Sequence, residues 1–203
     1  PSNWSIQAWI DPTAVPTDSD IDWFIHKYKT YRIGLQYTAS GVEVIGAMRY
    51  GGSWHNVKSG DQNFYVTTGG GWYHVVLTFD GTNLVLYVNG DEKDTETNSS
   101  LTTNNETDAF NIGRRGDNEN DNYYSGKIDD VTLWDNGLSA NAVAALYNSG
   151  AGLSALTNSG NYTSSGNLVL YLKMDQNLED SANSYDFTGN NISSVDYDNT
   201  GYE

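Results

Sequence analysis

GWYHVVLTFDGTNLVLYVNG, residues Gly71–Gly90, decides the fold class. In an extended chain Tyr73, Val75, Leu77 and Phe79 fall on one face, and His74, Val76 and Thr78 on the other. Asp80-Gly81 breaks the run. Leu84, Leu86 and Val88 then share a face, and Asn89-Gly90 closes it. Apolar alternation with period two, ended by Asp-Gly or Asn-Gly where the backbone must accept positive φ, signals a β-hairpin. The class that follows is all-β and antiparallel.

Working outward, WSIQAWI (residues 4–10) alternates as a buried strand, and Asp11-Pro12 stops it because proline cannot donate to a ladder. Trp23–Lys27 and Tyr31–Tyr37 read as a strand pair, Val42–Arg49 as a further strand, and Trp54–Val57 and Phe64–Thr67 as short ones. Beyond Gly90 come a polar stretch, a short strand at Phe110–Gly113, an acidic amide-rich loop at Gly116–Asn122, and a strong strand at Gly126–Trp134. Ile128 and Val131 stand three apart there, so both are buried only if Asp129-Asp130 forms a bulge. Ser139–Asn148 is the convincing helix, with Ser139 as its cap and Ala142, Val143, Leu146 and Tyr147 as its apolar stripe. A Gly/Ser/Asn/Thr-rich loop follows, then LVLYLKM from Leu168 to Met174 and an acidic tail.

The 203 residues are enough for one sandwich with a real core. Aromatic content of 13%, with 15 Tyr and 6 Trp, and only 18% charged residues fit β structure better than coiled coil or disorder. Net charge is −16, which argues against nucleic acid and anionic membrane as partners, because phosphate binding is driven by Lys and Arg. Cysteine is absent, so disulfides, thiolate metal sites and cysteine nucleophiles are excluded. No apolar run approaches the roughly 20 residues of a spanning helix, so membrane insertion by helix is not expected. The chain begins at Pro1 without a signal-peptide pattern and reads as a piece of something longer.

Trp72–Gly90, FNIG (Phe110–Gly113), GKIDDVTLWDNGLSANAVAALYN (Gly126–Asn148) and the early WSIQAWI together resemble the concanavalin A-like lectin/glucanase superfamily, in particular its laminin-G-like and pentraxin-like domains. The resemblance implies an antiparallel β-sandwich of concanavalin A-like jelly-roll type with one short helix near 139–148. It covers most of residues 4–148 in matching order. One departure stands out. In the family, a strand and an acidic, glycine-containing loop normally precede the SIQAWI-like strand, whereas LVLYLKMDQNLEDSANSYDFTGNN comes after the helix here. Residues 1–148 are therefore read as the main sandwich, 149–167 as a linker loop, and 168–203 as completing the same sandwich by circular permutation. The alternative is the start of a second copy. Completion is favoured because an unpaired strand would leave Leu168, Leu170 and Leu172 on an unsatisfied edge.

The resemblance also implies a structural Ca²⁺ held by Asp129, Asp180 and Ser181, with Asp175. Calcium takes six to eight oxygen ligands, so carboxylates distant in sequence must meet. Otherwise Asp180 is a turn residue and Asp129 a bulge carboxylate bonded to backbone N–H groups. For sugar binding, an aromatic platform beside amides and charged groups is the expected pattern. YGGSWHN (Tyr50–Asn56) and RRGDNENDNYY (Arg114–Tyr124) carry it, giving Tyr50, Trp54, His55, Arg114, Arg115, Asn118, Tyr123 and Tyr124 as candidate ligand residues. Glu92-Lys93-Asp94-Thr95-Glu96 matches the E-x-D-x-E of retaining glucanases with this sandwich, but Lys93 and Thr95 stand where such a strand should be apolar, so a solvated outer strand or loop is expected. His74 is expected at the core edge. The expected function is a non-catalytic, lectin-like recognition module for a glycan or polysaccharide, in an extracellular, cell-surface or virion protein. A structural or adhesive protein-interaction module is the alternative, and a glycoside hydrolase comes third.

Overall fold

The Gly71–Gly90 stretch folds as two strands at the centre of a sheet. In a computed structural model, which describes residues 2–104, 106–116, 123–174 and 178–183, Tyr73–Phe79 pairs with Asn83–Val88. Asn89 and Gly90 turn the chain with φ of 53° and 81°, the doubly positive geometry of a tight hairpin turn. The Asn89 side chain fixes that turn by accepting from the His74 N–H. Every residue of Tyr73–Phe79 is buried, so this strand has core on both faces.

Eleven strands and one α-helix are described. In chain order the strands are β1 (Trp4–Pro12), β2 (Ile21–Lys27), β3 (Tyr31–Thr38), β4 (Gly41–Tyr50), β5 (Ser53–Lys58), β6 (Tyr73–Phe79), β7 (Asn83–Val88), β8 (Asp91–Thr97), β9 (Phe110–Ile112), β10 (Gly126–Trp134) and β11 (Leu168–Leu172), with helix α1 (Ala140–Tyr147) before the last. They form a six-stranded sheet ordered β11-β10-β1-β6-β7-β8 and a five-stranded sheet ordered β5-β4-β3-β2-β9, all pairings antiparallel. The sheets stack face to face as a β-sandwich. Ile6, Phe24, Ile33, Leu35, Val44, Leu77 and Leu86 are among the residues filling the space between them. Gly46 lets the sheets close: a Cβ there would come within 2.6 Å of Leu77 Cδ1.

A second apolar layer covers the outer face of the six-stranded sheet. Val76, Val85, Tyr87, Trp134 and Tyr171 point outward into it and meet Leu138, Val143 and Leu146 from the α1 region. Ser139 caps α1 by accepting from Ala142 N–H, as expected. Residues 149–167 are not a free spacer. Tyr162 is fully buried, its hydroxyl donates to Ala155 O, and Trp134 Nε1 donates to that hydroxyl.

The bulge at Asp129-Asp130 is present: register shifts between Gln7 and Trp9, and Asp130 takes φ of 46°. β11 hydrogen-bonds to β10 at the edge of the six-stranded sheet, burying Leu170 and Leu172. One local expectation fails. Phe64–Thr67 gives only a single bridge, Val66 to Val42, because Ser59–Gln62 winds into a 3₁₀ turn beforehand. Glu92–Glu96 takes the outer-strand alternative: it lies in edge strand β8, where unpaired backbone tolerates charged side chains.

Candidate sugar-binding face

Among the described residues, no helix lies on the outer face of the five-stranded sheet. Alternation decides which residues it presents. In β3, Tyr31, Ile33 and Leu35 point into the core, so Arg32, Gly34 and Gln36 point out. Register then aligns a row across all five strands: Asn111 on β9, His26 on β2, Arg32 on β3, Ala47 on β4 and Asn56 on β5. The neighbouring row pairs Arg49 with Trp54.

Arg32 is the centre of this face. Its guanidinium carbon lies 4.3 Å from the Trp23 ring centroid and 3.8 Å from that of Trp54. Arg49 approaches Trp54 from 5.8 Å. Such contacts lock a long side chain by cation–π attraction. Trp23 lies flat over Gly34, where a Cβ would come within 2.8 Å of its ring. Gln36 Oε1 is buried with no hydrogen-bond partner among the described residues.

The described ends of the RRGDNENDNYY segment, Arg114–Gly116 and Tyr123, reach the same sheet. Tyr123 bridges both Trp23 and Arg114, and Gly116 N–H donates to His26 Nδ1 at 3.1 Å. A Cβ at 116 would displace the Asn111 amide, whose Nδ2 it would meet at 2.3 Å. Trp54 of the first cluster thus stacks on Arg32 beside Trp23, and Tyr123 of the second pairs with Trp23 through the backbone. Arg32, Trp23 and Arg49 were not among the sequence candidates. The outward alternation of YRIGLQY could have found Arg32, but only the pairing register shows that it meets both tryptophans.

The other candidates separate. Tyr50 packs at the core margin, 6.4 Å from the His55 ring. His55 points to the opposite face from Trp54 and contacts Glu96 of β8. Tyr124 is 8% exposed, sits edge-on to Phe24, and donates to Lys127 O; it belongs to the core because the loop must bury an anchor before β10. Arg114 donates from Nε to Arg115 O. Tyr123 is 47% exposed. Asn118 lies outside the described residues.

The carboxylates of β8 do not make a glycosidase pair. Leu84, opposite Glu96, faces the inter-sheet core, whereas Tyr87, opposite Glu92, faces the α1 layer, with a register shift between. Glu92 and Glu96 thus project to opposite faces, while retaining hydrolysis needs carboxyls about 5–5.5 Å apart across one bond. Asp94 and Glu96 instead tie the sheets together: Lys58 N–H donates to Asp94 Oδ2, and His55 meets Glu96.

The described calcium candidates all take part in backbone hydrogen bonds. Asp180 Oδ1 accepts from Tyr171 N–H and Ala182 N–H, as a turn residue does. Asp129 Oδ1 accepts from the N–H of Asp130. Asp180 bridges to Leu172 on the side of β11 away from β10, which carries Asp129. Ser181 donates its backbone N–H to Tyr171 O. Asp175 lies outside the described residues. Among the described residues no group of three or more His, Asp or Glu is placed to hold a metal.

A separate cleft of about 810 Å³ opens between the edges of the two sheets, with Trp4, Tyr31, Phe110 and Leu170 beside Lys27, Asn104 and Asp108. None of the sequence-chosen ligand residues lines it.

Three solved structures share this architecture. A protein from Bacteroides ovatus described as a candidate carbohydrate-binding protein aligns at TM-score 0.64 and 20% identity, over 86% of this chain and 46% of that one. This chain thus spans less than half of that protein. A native heptameric SAP-like pentraxin from Limulus polyphemus aligns at TM-score 0.53 and 15% identity, over 72% of this chain and 70% of that one. Domain 4 of AbnA, a GH43 extracellular arabinanase from Geobacillus stearothermophilus solved with arabinotriose, aligns at 0.50 and 20%, over 71% and 66%. At these identities the likeness is one of fold. No curated protein sequence matches the chain. A family model matches residues 1–144, and the chain belongs to the family it describes, the concanavalin A-like lectin/glucanases superfamily.

Proposed function

We propose that this chain is a non-catalytic carbohydrate-binding module that recognises its ligand on the outer face of the five-stranded sheet, in an extracellular, cell-surface or virion protein. The observation that carries it is the Trp23–Arg32–Trp54 stack on the sheet face opposite α1, with Tyr123 paired through its backbone to Trp23. Around that centre stand Asn56, Gln36 and Arg49, donors and acceptors of the kind that fix sugar hydroxyls, with Trp54 as a half-exposed apolar wall. The names of the Bacteroides and arabinanase neighbours agree with this reading. The separation of Glu92 from Glu96 supports binding without hydrolysis.

A glycan-array screen of the wild-type chain and of Trp54→Ala tests it. The expected result is binding to a defined set of glycans, reduced at least tenfold in the variant. A folded protein that binds no glycan and only protein ligands would replace this reading with an adhesive one. The calcium proposal rests on Asp129 and Asp180 alone among the described carboxylates. Melting in Ca²⁺ against EDTA decides it, since an ion bound only by the native state must raise the melting temperature. An unchanged value removes it.

A further inference from the structure

We infer that the ligand of this face is an acidic glycan, one whose sugars carry carboxylate or sulfate groups. This deepens the carbohydrate-binding proposal above and depends on it.

The first observation is where positive charge sits. In a chain of net charge −16, all four arginines belong to the five-stranded sheet or the loop leaving it: Arg32 on β3, Arg49 on β4, and Arg114 and Arg115 after β9. The exposed edge of the other sheet, β8, carries Asp91, Glu92, Asp94 and Glu96 instead. Among the outward strand positions described on the five-stranded sheet, the one carboxylate is Glu43. It is 5% exposed, and Lys58 Nζ lies 3.3 Å from its Oε1. The face therefore presents cations in a molecule that is otherwise strongly acidic.

The second observation is how the aromatics are used. A neutral sugar bound by stacking needs an open indole face. Here Arg32 lies between the Trp23 and Trp54 rings, and Trp23 is itself buried. A guanidinium stacked by its flat face still directs N–H donors in its own plane, in a fork that matches the two oxygens of a carboxylate or sulfate. The Nε of Arg32 is buried, so its terminal nitrogens are the ones in question, and Arg49 supplies the second fork. Arg49 stands beside it over the same tryptophan, half-exposed. The rings hold the arginines, and the arginines meet the ligand.

Third, the net charge makes a local patch necessary. An anionic polymer is repelled by the chain as a whole and is attracted only within about a Debye length of the arginines. Binding should therefore be local and moderately salt-sensitive.

The test uses matched polysaccharide pairs: polygalacturonate against its methyl ester, and dextran sulfate against dextran. Carboxylate and sulfate are thereby distinguished from each other and from the neutral backbone. The expected result is binding to at least one acidic member, with its neutral counterpart at least tenfold weaker. Arg49→Gln should weaken that binding about tenfold to a hundredfold without changing the melting temperature, and Arg49→Lys should restore only part of it. Equal binding to acidic and neutral members overturns the acidic-ligand inference and leaves the carbohydrate-binding proposal standing. Acidic binding indifferent to Arg49→Gln overturns it as nonspecific charge attraction. Binding to neither set, nor to any sugar on the array, overturns both.

Discussion

The two outer faces of the sandwich are built from the same alternating strands and meet opposite fates. On the six-stranded sheet, the outward residues Val76, Tyr87, Trp134 and Tyr171 are roofed by α1 and by the loop that Tyr162 anchors. Even a titratable group is enclosed there. His74 is fully buried between the rings of Trp9 and Tyr147, and neither ring nitrogen has a partner among the described residues. On the five-stranded sheet the outward residues are Arg32, Gln36, Arg49, Trp54 and Asn56, with no helix above them among the described residues. One face is a second core and sets stability; the other is the one proposed above to meet a ligand. The difference teaches that an aromatic-rich outward strand face is not by itself a binding site. What matters is whether another element covers it.

That contrast can be broken most forcefully at Trp134. Trp134→Ala empties the roofed layer and strips Tyr162 of its donor, and should cost about 3–5 kcal/mol in urea unfolding. Glycan binding by the fraction still folded should not change; if it does, the two faces are coupled. Acid comes next. Burial pushes His74 down from 6.5 to about 3, so the folded state holds it neutral while the unfolded chain takes up a proton below about 6.5. Its contribution is thus complete above the unfolded value and is lost as pH falls from there towards 3. The slope is about 1.4 kcal/mol per pH unit, roughly 2 kcal/mol between pH 6.5 and 5. Denaturation midpoints measured across this range in wild type and His74→Leu should differ in slope, with the variant flatter.

Gly34→Ala perturbs the open face from beneath. The new Cβ would come within 2.8 Å of both Asp22 O and the Trp23 ring. A loss of about 1–2 kcal/mol is expected, together with weaker ligand binding as Trp23 and Arg32 shift. Ser139→Ala removes the α1 cap and should cost about 1 kcal/mol with binding intact. Trp54→Ala should be the mildest for stability, under about 1 kcal/mol, yet among the most damaging for binding. A large loss of stability there would mean that Trp54 is structural and would erase the distinction between the faces.

The strands were legible where local chemistry was unambiguous. Tyr73–Val88 announced itself through alternation and through Asn89-Gly90, whose positive φ no other common pair accepts so readily. Gly126–Trp134 was legible down to its bulge, because Ile128 and Val131 cannot both be buried without one. Glu92–Glu96 was legible only as a choice between solvated outer strand and loop, and edge strand β8 is the first of these. An edge strand pairs on one side only, so its sequence need not look like a strand, and Asp94 and Glu96 turned inward to bind across the sheets. The candidate site was half-legible. Trp54 and the Arg114–Tyr124 loop carried a visible aromatic–polar signature, but Tyr124 and His55 shared that signature while pointing elsewhere. One residue's step along a strand moves a side chain to the other face, and composition does not record it.

The sequence by itself determined the class, the hairpins, the capped helix and the acidic charge, because each follows from contacts within a few residues along the chain. The tertiary structure alone decided that Trp23, Arg32 and Trp54 form one stack, that α1 covers the six-stranded sheet and not the other among the described residues, and that Asp129 and Asp180 accept from backbone N–H groups. Those outcomes depend on strand register and sheet order, which are set by which apolar faces must be buried together and not by any single segment.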